Sequence, residues 1–154
     1  MNIREDGYYL DATAGRGGHI AALLACLGPK GRILALDRDP QAVAYVASRF
    51  HDDARITVQH ARFSELARYL QPGDCLDGIL FDFGVSSPQL DEAQRGFSFL
   101  RDGPLDMRMN PDAGISAAQW LETAEKNEIR DILKRLGEER HAGRIAAAIV
   151  RERE

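Results

Sequence analysis

Short apolar runs alternate with amphipathic stretches over the first half of the chain. Runs bounded by turn residues predict buried strands at residues 7–11, 32–37, 55–60 and 75–82. Apolar positions three and four apart predict helices at residues 18–27, 40–50 and 65–70. Alternation of this kind is typical of right-handed βαβ units, so we expect an α/β fold whose parallel sheet is covered on both faces.

The pattern changes after Asp82. Residues 83–115 contain four glycines and three prolines without clear periodicity, which predicts a long connection of the length that usually serves a function. Ser116 and Gln119 form a capping-box start, and helical stripes follow over residues 129–136 and 142–150. Because the chain does not return to the sheet, we expect it to be a portion of a larger protein.

Two phenylalanines, Phe97 and Phe99, lie between Arg95 and Arg101 inside that connection. Aromatic and basic residues mixed in this way can form a base-stacking surface. Phenylalanine is more often buried, and burial is the expectation we favour here.

Composition narrows the class of protein. Apolar residues make up 44% and charged residues 29% of the chain, and the net charge is −4, which excludes a strongly cationic nucleic-acid coat but not a local basic groove. No apolar run reaches membrane-spanning length, and the first residues do not resemble a signal peptide, so we expect a cytoplasmic protein. Cys26 and Cys75 lie in apolar segments and are expected to be reduced and buried, and no histidine has metal-ligand spacing.

The residues D-A-T-A-G-R-G-G-H, from Asp11 to His19, join the first predicted strand to the first helix. Glycines allow a close backbone approach to a ligand, and a helix start offers unpaired N–H groups. Asp37 ends the next strand 19 residues beyond Gly18, near the spacing at which a carboxylate reaches a ribose hydroxyl. These features favour a nucleoside-containing ligand at the carboxyl ends of the strands. The alternative is a glycine-rich turn in which Asp37 is only a cap.

The glycine spacing bears on which nucleoside binds. The loop lacks the G-x-G-x-x-G pattern that holds the pyrophosphate of NAD, so an NAD-dependent oxidoreductase is the weaker hypothesis. Asp11 would repel a phosphate but could pair with an ammonium group. S-adenosylmethionine has an α-amino group, a sulfonium and no phosphate, and it fits this loop better. Asp11 could instead bond only the N–H groups of its own turn.

A second motif, F-D-F-G-V-S-S-P-Q, follows the fourth predicted strand. Asp82 and Gln89 can contact the ligand or the acceptor, because the carboxyl ends of parallel strands share one crevice. A carboxylate or a carbonyl of the Ser-Pro segment could orient an exocyclic amine and take up its proton. The alternative is a turn begun by Ser-Pro. Phe63 could pack on an adenine or belong to the core, and His19 could donate to the ligand or bond locally.

Five segments together resemble the MraW/RsmH family. They are DATAGRGGH, LALDRDPQAV, FDFGVSSPQLDEAQRGFSFLRDGPLDMRMNP, SAAQWLETAE and GEERHAGRIAAAIV, and the resemblance covers nearly the whole chain. Members are bacterial S-adenosylmethionine-dependent methyltransferases acting on N4 of a cytidine in the decoding region of 16S ribosomal RNA. The resemblance implies a class I methyltransferase sheet of Rossmann-like type, present in part over residues 1–85. It also implies the start of an inserted helical substrate-recognition domain over residues 86–154.

The resemblance also implies site residues. Cofactor contacts carry over to positions in both motifs: Gly17, Gly18, His19, Asp37, Phe63, Asp82 and Gln89. Asp82 is the candidate catalytic residue, because it could orient the amine, and the implied partner is 16S ribosomal RNA or the 30S subunit. Ala12 and Ala14 replace the glycine and phenylalanine usual in relatives, and the family's entry motif and late Ser-Phe-His-Ser segment are absent from this sequence. A non-catalytic S-adenosylmethionine-binding remnant or assembly module is the alternative.

Overall fold

A computed structural model describes residues 2–153 and separates them into two units, the first ending at Ser87 and the second beginning at Pro88. Strands and helices alternate in the first unit: β1 (Tyr8–Asp11), α1 (Gly18–Leu24), β2 (Arg32–Asp37), α2 (Pro40–Arg49), β3 (Ile56–His60), a 3-10 helix (Phe63–Tyr69) and β4 (Gly78–Leu80). Helices follow: α3 (Ser87–Asp91), which begins at the boundary, a 3-10 turn (Ala93–Arg95), α4 (Ala117–Thr123), α5 (Lys126–Arg135) and α6 (Ala142–Glu152).

The strands form one parallel sheet in the order β3-β2-β1-β4. In the register of β1 with its two neighbours, Leu10 is opposite Leu34 of β2 and Ile79 of β4. The predicted α/β fold with a parallel sheet is therefore confirmed.

Alternate residues of β1 and β2 pack on opposite faces of the sheet, which is why both strands are apolar at nearly every position. Tyr9 and Ile33 join one cluster with Val46 of α2, while Leu10 and Leu34 join another. The second cluster is covered by side chains of the 3-10 helix and the segment after it: Leu66, Tyr69 and Leu70. Both faces are covered, as expected.

The fourth strand is shorter than the sequence predicts, covering Gly78–Leu80 rather than residues 75–82. Before it, the Asp77 carboxylate accepts the N–H of Tyr8 at 2.9 Å, in place of a strand carbonyl. After it, the N–H of Asp82 donates to the Thr13 hydroxyl at 2.7 Å. A side chain thus takes one hydrogen bond of the ladder at each end, while the N–H of Asp77 still donates to the Tyr8 carbonyl at 2.8 Å.

The prediction of two buried cysteines was wrong, since Cys26 and Cys75 are both exposed. The inward positions in and just after α1 are Ile20, Leu23 and Leu27, and Cys26 lies off that stripe. Cys75 follows a turn in which the Gln71 N–H donates to the Asp74 carboxylate at 2.7 Å.

The segment 83–115 is less irregular than predicted, because it contains α3 and the Ala93–Arg95 turn. Neither is long enough to produce a periodic apolar pattern. Phe97 is half-buried, whereas Phe99 is 94% exposed, so the expected burial was wrong for Phe99.

The predicted capping box at the start of α4 is present. Ser116 Oγ accepts the N–H of Gln119 at 3.1 Å, and the Gln119 side chain accepts the N–H of Ser116 at 2.9 Å. Ile129 of α5 and Ala146 of α6 then form the center of a small core that includes Trp120. Among the described residues, no helix combines the length and the apolarity needed to cross a bilayer.

A buried arginine organises the loop that precedes α4. The Arg95 guanidinium donates to the carbonyl oxygens of Arg108 and Met109 at 3.2 and 2.9 Å. Arg108 in turn forms an ion pair with Asp106 at 2.6 Å. One cationic side chain therefore satisfies carbonyls of a segment without regular structure.

We expect Arg95→Met to lower the free energy of unfolding of the second unit by about 2–3 kcal/mol, because two carbonyls lose a charged donor. Urea unfolding followed by the fluorescence of Trp120, the only tryptophan in the sequence, measures this change. Arg101→Met is the control, since Arg101 is exposed and donates to one carbonyl, that of Asp91. Equal midpoints for the two variants would contradict the prediction.

Candidate functional site

The loops that follow the four parallel strands lie at one edge of the sheet, and they carry most of the predicted site residues. The loop after β1 turns tightly at Gly17, which has φ +71° and donates its N–H to the Ala14 carbonyl at 2.8 Å. A Cβ at Gly17 would lie 2.7 Å from the Phe50 ring, whereas a Cβ at Gly18 would meet nothing within 4 Å. Gly17 is therefore required by packing, and Gly18 borders open space.

The Asp37 carboxylate connects the end of β2 to this loop. Its Oδ2 accepts the N–H of Gly15 at 2.8 Å, and its Oδ1 accepts the N–H of Asp39 at 2.9 Å. The helix cap is a different residue, because Asp39 accepts the N–H of Gln41 at 2.9 Å at the start of α2. Each Asp37 oxygen retains a further lone pair, so hydroxyl groups of a ligand could still bind.

Asp11 is the most deeply buried carboxyl at this edge, with no exposed surface. Its Oδ1 accepts the N–H of Thr13 at 3.1 Å, as the turn alternative predicts. Its Oδ2 has no hydrogen-bond partner within residues 2–153. Burial raises the pKa of Asp11; the Thr13 N–H and His19 oppose this shift, while Asp37 and Asp82 add to it.

Asp82 is anchored through its backbone rather than its side chain. Its N–H donates to the hydroxyl of Thr13 at 2.7 Å, and its side chain is exposed. Since Thr13 also donates its N–H to Asp11, this threonine connects the Asp11 carboxylate to the backbone of Asp82. The end of β4 is thereby fixed beside the glycine loop.

Three phenylalanines form an aromatic cluster at the same edge. Phe81 and Phe83 stack at 5.5 Å between ring centroids with an interplanar angle of 27°, and Phe63 meets both edge-on at 5.7 Å. All three rings are exposed, and Phe83 is 71% exposed. Phe63 follows β3, whereas Phe81 and Phe83 follow β4 at the other side of the sheet. The cluster thus connects the segment after β3 with the segment after β4, the two outer strands of the sheet.

The structure brings several of the predicted residues together within the first unit. Gly17 and Gly18 lie in the loop joined to Asp37, and Asp82 is fastened to that loop by Thr13. His19 is exposed in the first turn of α1. Gln89 is buried in α3 and belongs to the second unit. The ligand roles of all these residues stay predictions.

Sequence reasoning missed Thr13 and the pairing of Phe81 with Phe83. A signal for the aromatic cluster was available, because Phe63 and Phe83 follow predicted strands of one sheet and Phe81 lies at the end of the fourth predicted strand. No sequence pattern predicted the hydrogen bond that the Thr13 hydroxyl accepts, since an isolated threonine in a turn is common.

Comparison with known proteins establishes the family. The model of the MraW methylase family matches residues 1–154. The chain belongs to the MraW methylase family. This membership confirms the resemblance of the sequence motifs to MraW/RsmH proteins and implies the use of S-adenosylmethionine in general terms.

Two solved structures resemble this methylase-family chain. A candidate rRNA methylase from Clostridium thermocellum is 25% identical, with a TM-score of 0.50, and the match covers 55% of this chain and 46% of that one. An rRNA methylase from Streptococcus thermophilus is 22% identical, with a TM-score of 0.45 and coverage of 53% and 48%. The first match supports a Rossmann-like methyltransferase fold. The matches cover about half the length of both solved proteins.

We expect Gly17→Ala to destabilise the first unit more than Gly18→Ala. A left-handed backbone costs alanine about 1–2 kcal/mol, and the Phe50 ring must also move. Gly18→Ala introduces a methyl group into open space and serves as the matched control. Thermal unfolding followed by circular dichroism measures both, and a Gly18→Ala loss as large as that of Gly17→Ala would contradict the packing argument.

The raised pKa of Asp11 predicts how stability depends on pH. The folded chain holds this proton more tightly than the unfolded chain, whose carboxyl titrates near 3.8. The stability gained from protonation is therefore lost as pH rises from about 3.8 through the raised pKa. Asp11→Asn lacks this titration, so its stability relative to the parent chain should increase across that range.

Urea unfolding followed by circular dichroism at several pH values measures that difference. Asp52→Asn is the control, because the Asp52 side chain is 88% exposed. A difference between Asp11→Asn and the parent that does not change with pH would contradict the prediction.

Proposed function

We propose that the first unit binds S-adenosylmethionine and that the protein to which this chain corresponds methylates N4 of a cytidine in the decoding region of 16S ribosomal RNA. The observation that carries the proposal is a group of three carboxyls, those of Asp11, Asp37 and Asp82. Asp37 and Asp82 both act electrostatically on Asp11, whose buried Oδ2 has no hydrogen-bond partner within residues 2–153.

Such a group of carboxyls suits a cationic ligand without phosphate. Three carboxylates would repel the pyrophosphate of NAD, but they would attract an ammonium or sulfonium group. The unsatisfied Oδ2 of Asp11 supports this fit, because an unpaired buried acceptor costs free energy that a donor would recover. S-adenosylmethionine has both cationic groups, so the residues present fit it better than they fit a dinucleotide.

The proposed contacts of the cofactor come from the residues at the ends of β2 and β3 and from the loop after β1. Asp37 would accept hydrogen bonds from the ribose hydroxyls, using the lone pairs that Gly15 and Asp39 leave free. Phe63, which follows the neighbouring strand β3, would pack against the adenine ring. The open space at Gly18 would admit the amino-acid part of the ligand. His19 would donate a hydrogen bond beside it.

Asp82 is the residue that we assign to the acceptor. S-adenosylmethionine, when bound, supplies an electrophilic methyl group. The exposed Asp82 carboxylate would accept a hydrogen bond from the exocyclic amine, orient its lone pair and receive a proton as the amine is methylated. Positioning of this kind accounts for a large part of the rate of a direct transfer, so a covalent nucleophile is not needed.

The acceptor and the cellular context rest on family membership. Small-subunit ribosomal RNA, alone or in the 30S subunit, is the proposed partner, and the cytoplasm is the proposed location. Residues 1–85 would be the amino-terminal part of the cofactor-binding domain, and residues 86–154 the start of the substrate-recognition domain. Gln89 stays a candidate contact of the methyl donor, supported by its place in the family motif.

We expect calorimetry to show S-adenosylmethionine binding to this chain, and Asp37→Ala to weaken it about 10- to 100-fold, because hydrogen bonds to a charged group contribute about 1.5–3 kcal/mol. Asp52→Ala is the matched control, since Asp52 is exposed and lies after α2. NAD, titrated in parallel, should not bind. Tight binding of NAD, or equal affinities for S-adenosylmethionine in the two variants, would contradict the proposed site.

A further inference from the structure

We propose that the ring of Phe83 is the platform on which the acceptor cytosine of the proposed function stacks while it is unpaired. This inference deepens the proposed function, because it assigns a residue to the acceptor rather than to the cofactor. It depends on the aromatic cluster of Phe63, Phe81 and Phe83 and on its position beside Asp82.

The cluster holds the Phe83 ring in place while leaving it accessible. Phe81 stacks against it at 5.5 Å between centroids, and Phe63 contacts it edge-on at 5.7 Å. Phe83 is nevertheless 71% exposed, compared with 40% for Phe81 and 41% for Phe63. An exposed ring that neighbouring rings already hold in one orientation loses little conformational entropy when a flat ligand stacks on it. Stacking on aromatic side chains is the usual way in which single-stranded RNA bases are held.

The neighbouring residue gives the platform its selectivity. Asp82 precedes Phe83 directly, and the Asp82 N–H is fixed by the Thr13 hydroxyl at 2.7 Å. A carboxylate on the residue next to an apolar ring would complement a base that stacks and also presents an exocyclic amine. Cytosine has such an amine at C4, whereas uracil has a carbonyl oxygen there that a carboxylate would repel. The pair therefore favours cytosine over uracil.

The position of Phe83 in the chain favours the acceptor base over the adenine of the cofactor as its ligand. Asp37 ends β2, and Phe63 follows the adjacent strand β3, so ribose and adenine would lie on that side of the edge. Phe83 follows β4, directly after Asp82, and its ring meets that of Phe63 at 5.7 Å between centroids. Since Phe83 and Asp82 are consecutive, their Cα atoms lie about 3.8 Å apart, so a base stacked on this ring would lie close to the Asp82 segment. We therefore assign Phe83 to the acceptor base.

The test uses the whole chain with S-adenosylhomocysteine, the product form of the cofactor, and a short oligouridine that carries one cytosine. Proton NMR should show the H5 and H6 signals of the cytosine moving upfield, because they lie over an aromatic ring. Phe83→Leu keeps the apolar volume and removes the ring. We expect it to weaken oligonucleotide binding about 5- to 150-fold, corresponding to about 1–3 kcal/mol per stacked base, and to abolish the upfield shift.

Three controls separate stacking from structural damage. Phe83→Tyr keeps a ring and should retain both the shift and the affinity. Phe99→Leu makes the same substitution at a phenylalanine that is 94% exposed in the second unit, and it should change neither. Oligouridine without the cytosine should bind more weakly than the cytosine-containing strand.

Each outcome decides one question. The inference is overturned if Phe83→Leu weakens S-adenosylhomocysteine as much as the oligonucleotide, because the ring would then serve the adenine. It is also overturned if the chain binds S-adenosylhomocysteine but the cytosine signals do not shift. If the chain does not bind S-adenosylhomocysteine, yet Phe83→Leu abolishes an observed shift, the proposed function fails and the base platform stands.

Discussion

The carboxylate of Asp37 holds three segments in position. One oxygen accepts the N–H of Gly15 in the glycine loop, and the other accepts the N–H of Asp39, which itself caps α2. One charged group at the end of β2 therefore positions both the loop after β1 and the first turn of α2. The parallel pairing of β1 with β2 brings these segments near each other, and the carboxylate fixes their final separation.

The concentration of negative charge at this edge has an energetic cost in the absence of a ligand. Asp11 is buried, one of its oxygens has no hydrogen-bond partner within the described chain, and two further carboxylates act on it. Such groups are destabilising unless a complementary charge arrives. Binding sites commonly carry this cost, because the free energy lost in the empty protein is recovered when the ligand binds.

The central elements were predictable because their apolar patterns follow from burial. β2 was predicted at its observed bounds, and Pro40 marked the start of α2. The limits of β4 were not predictable, because side-chain bonds of Asp77 and Thr13 take part in its pairing and leave no periodic pattern. At the site, glycine spacing identified the loop and Asp37. The contact between Phe63 and Phe83 could not be predicted, because it depends on how two loops far apart in sequence fold toward each other.

The outer edge of β4 affects how the protein should behave at high concentration. The strand pairs only with β1 within the described chain, and Ile79 and Phe81 are exposed beside its free edge. Strands of this kind offer backbone N–H and carbonyl groups to other chains, and apolar side chains strengthen such pairing. Self-association should therefore increase with concentration, so dilute samples and a charged residue on this strand would favour the monomer.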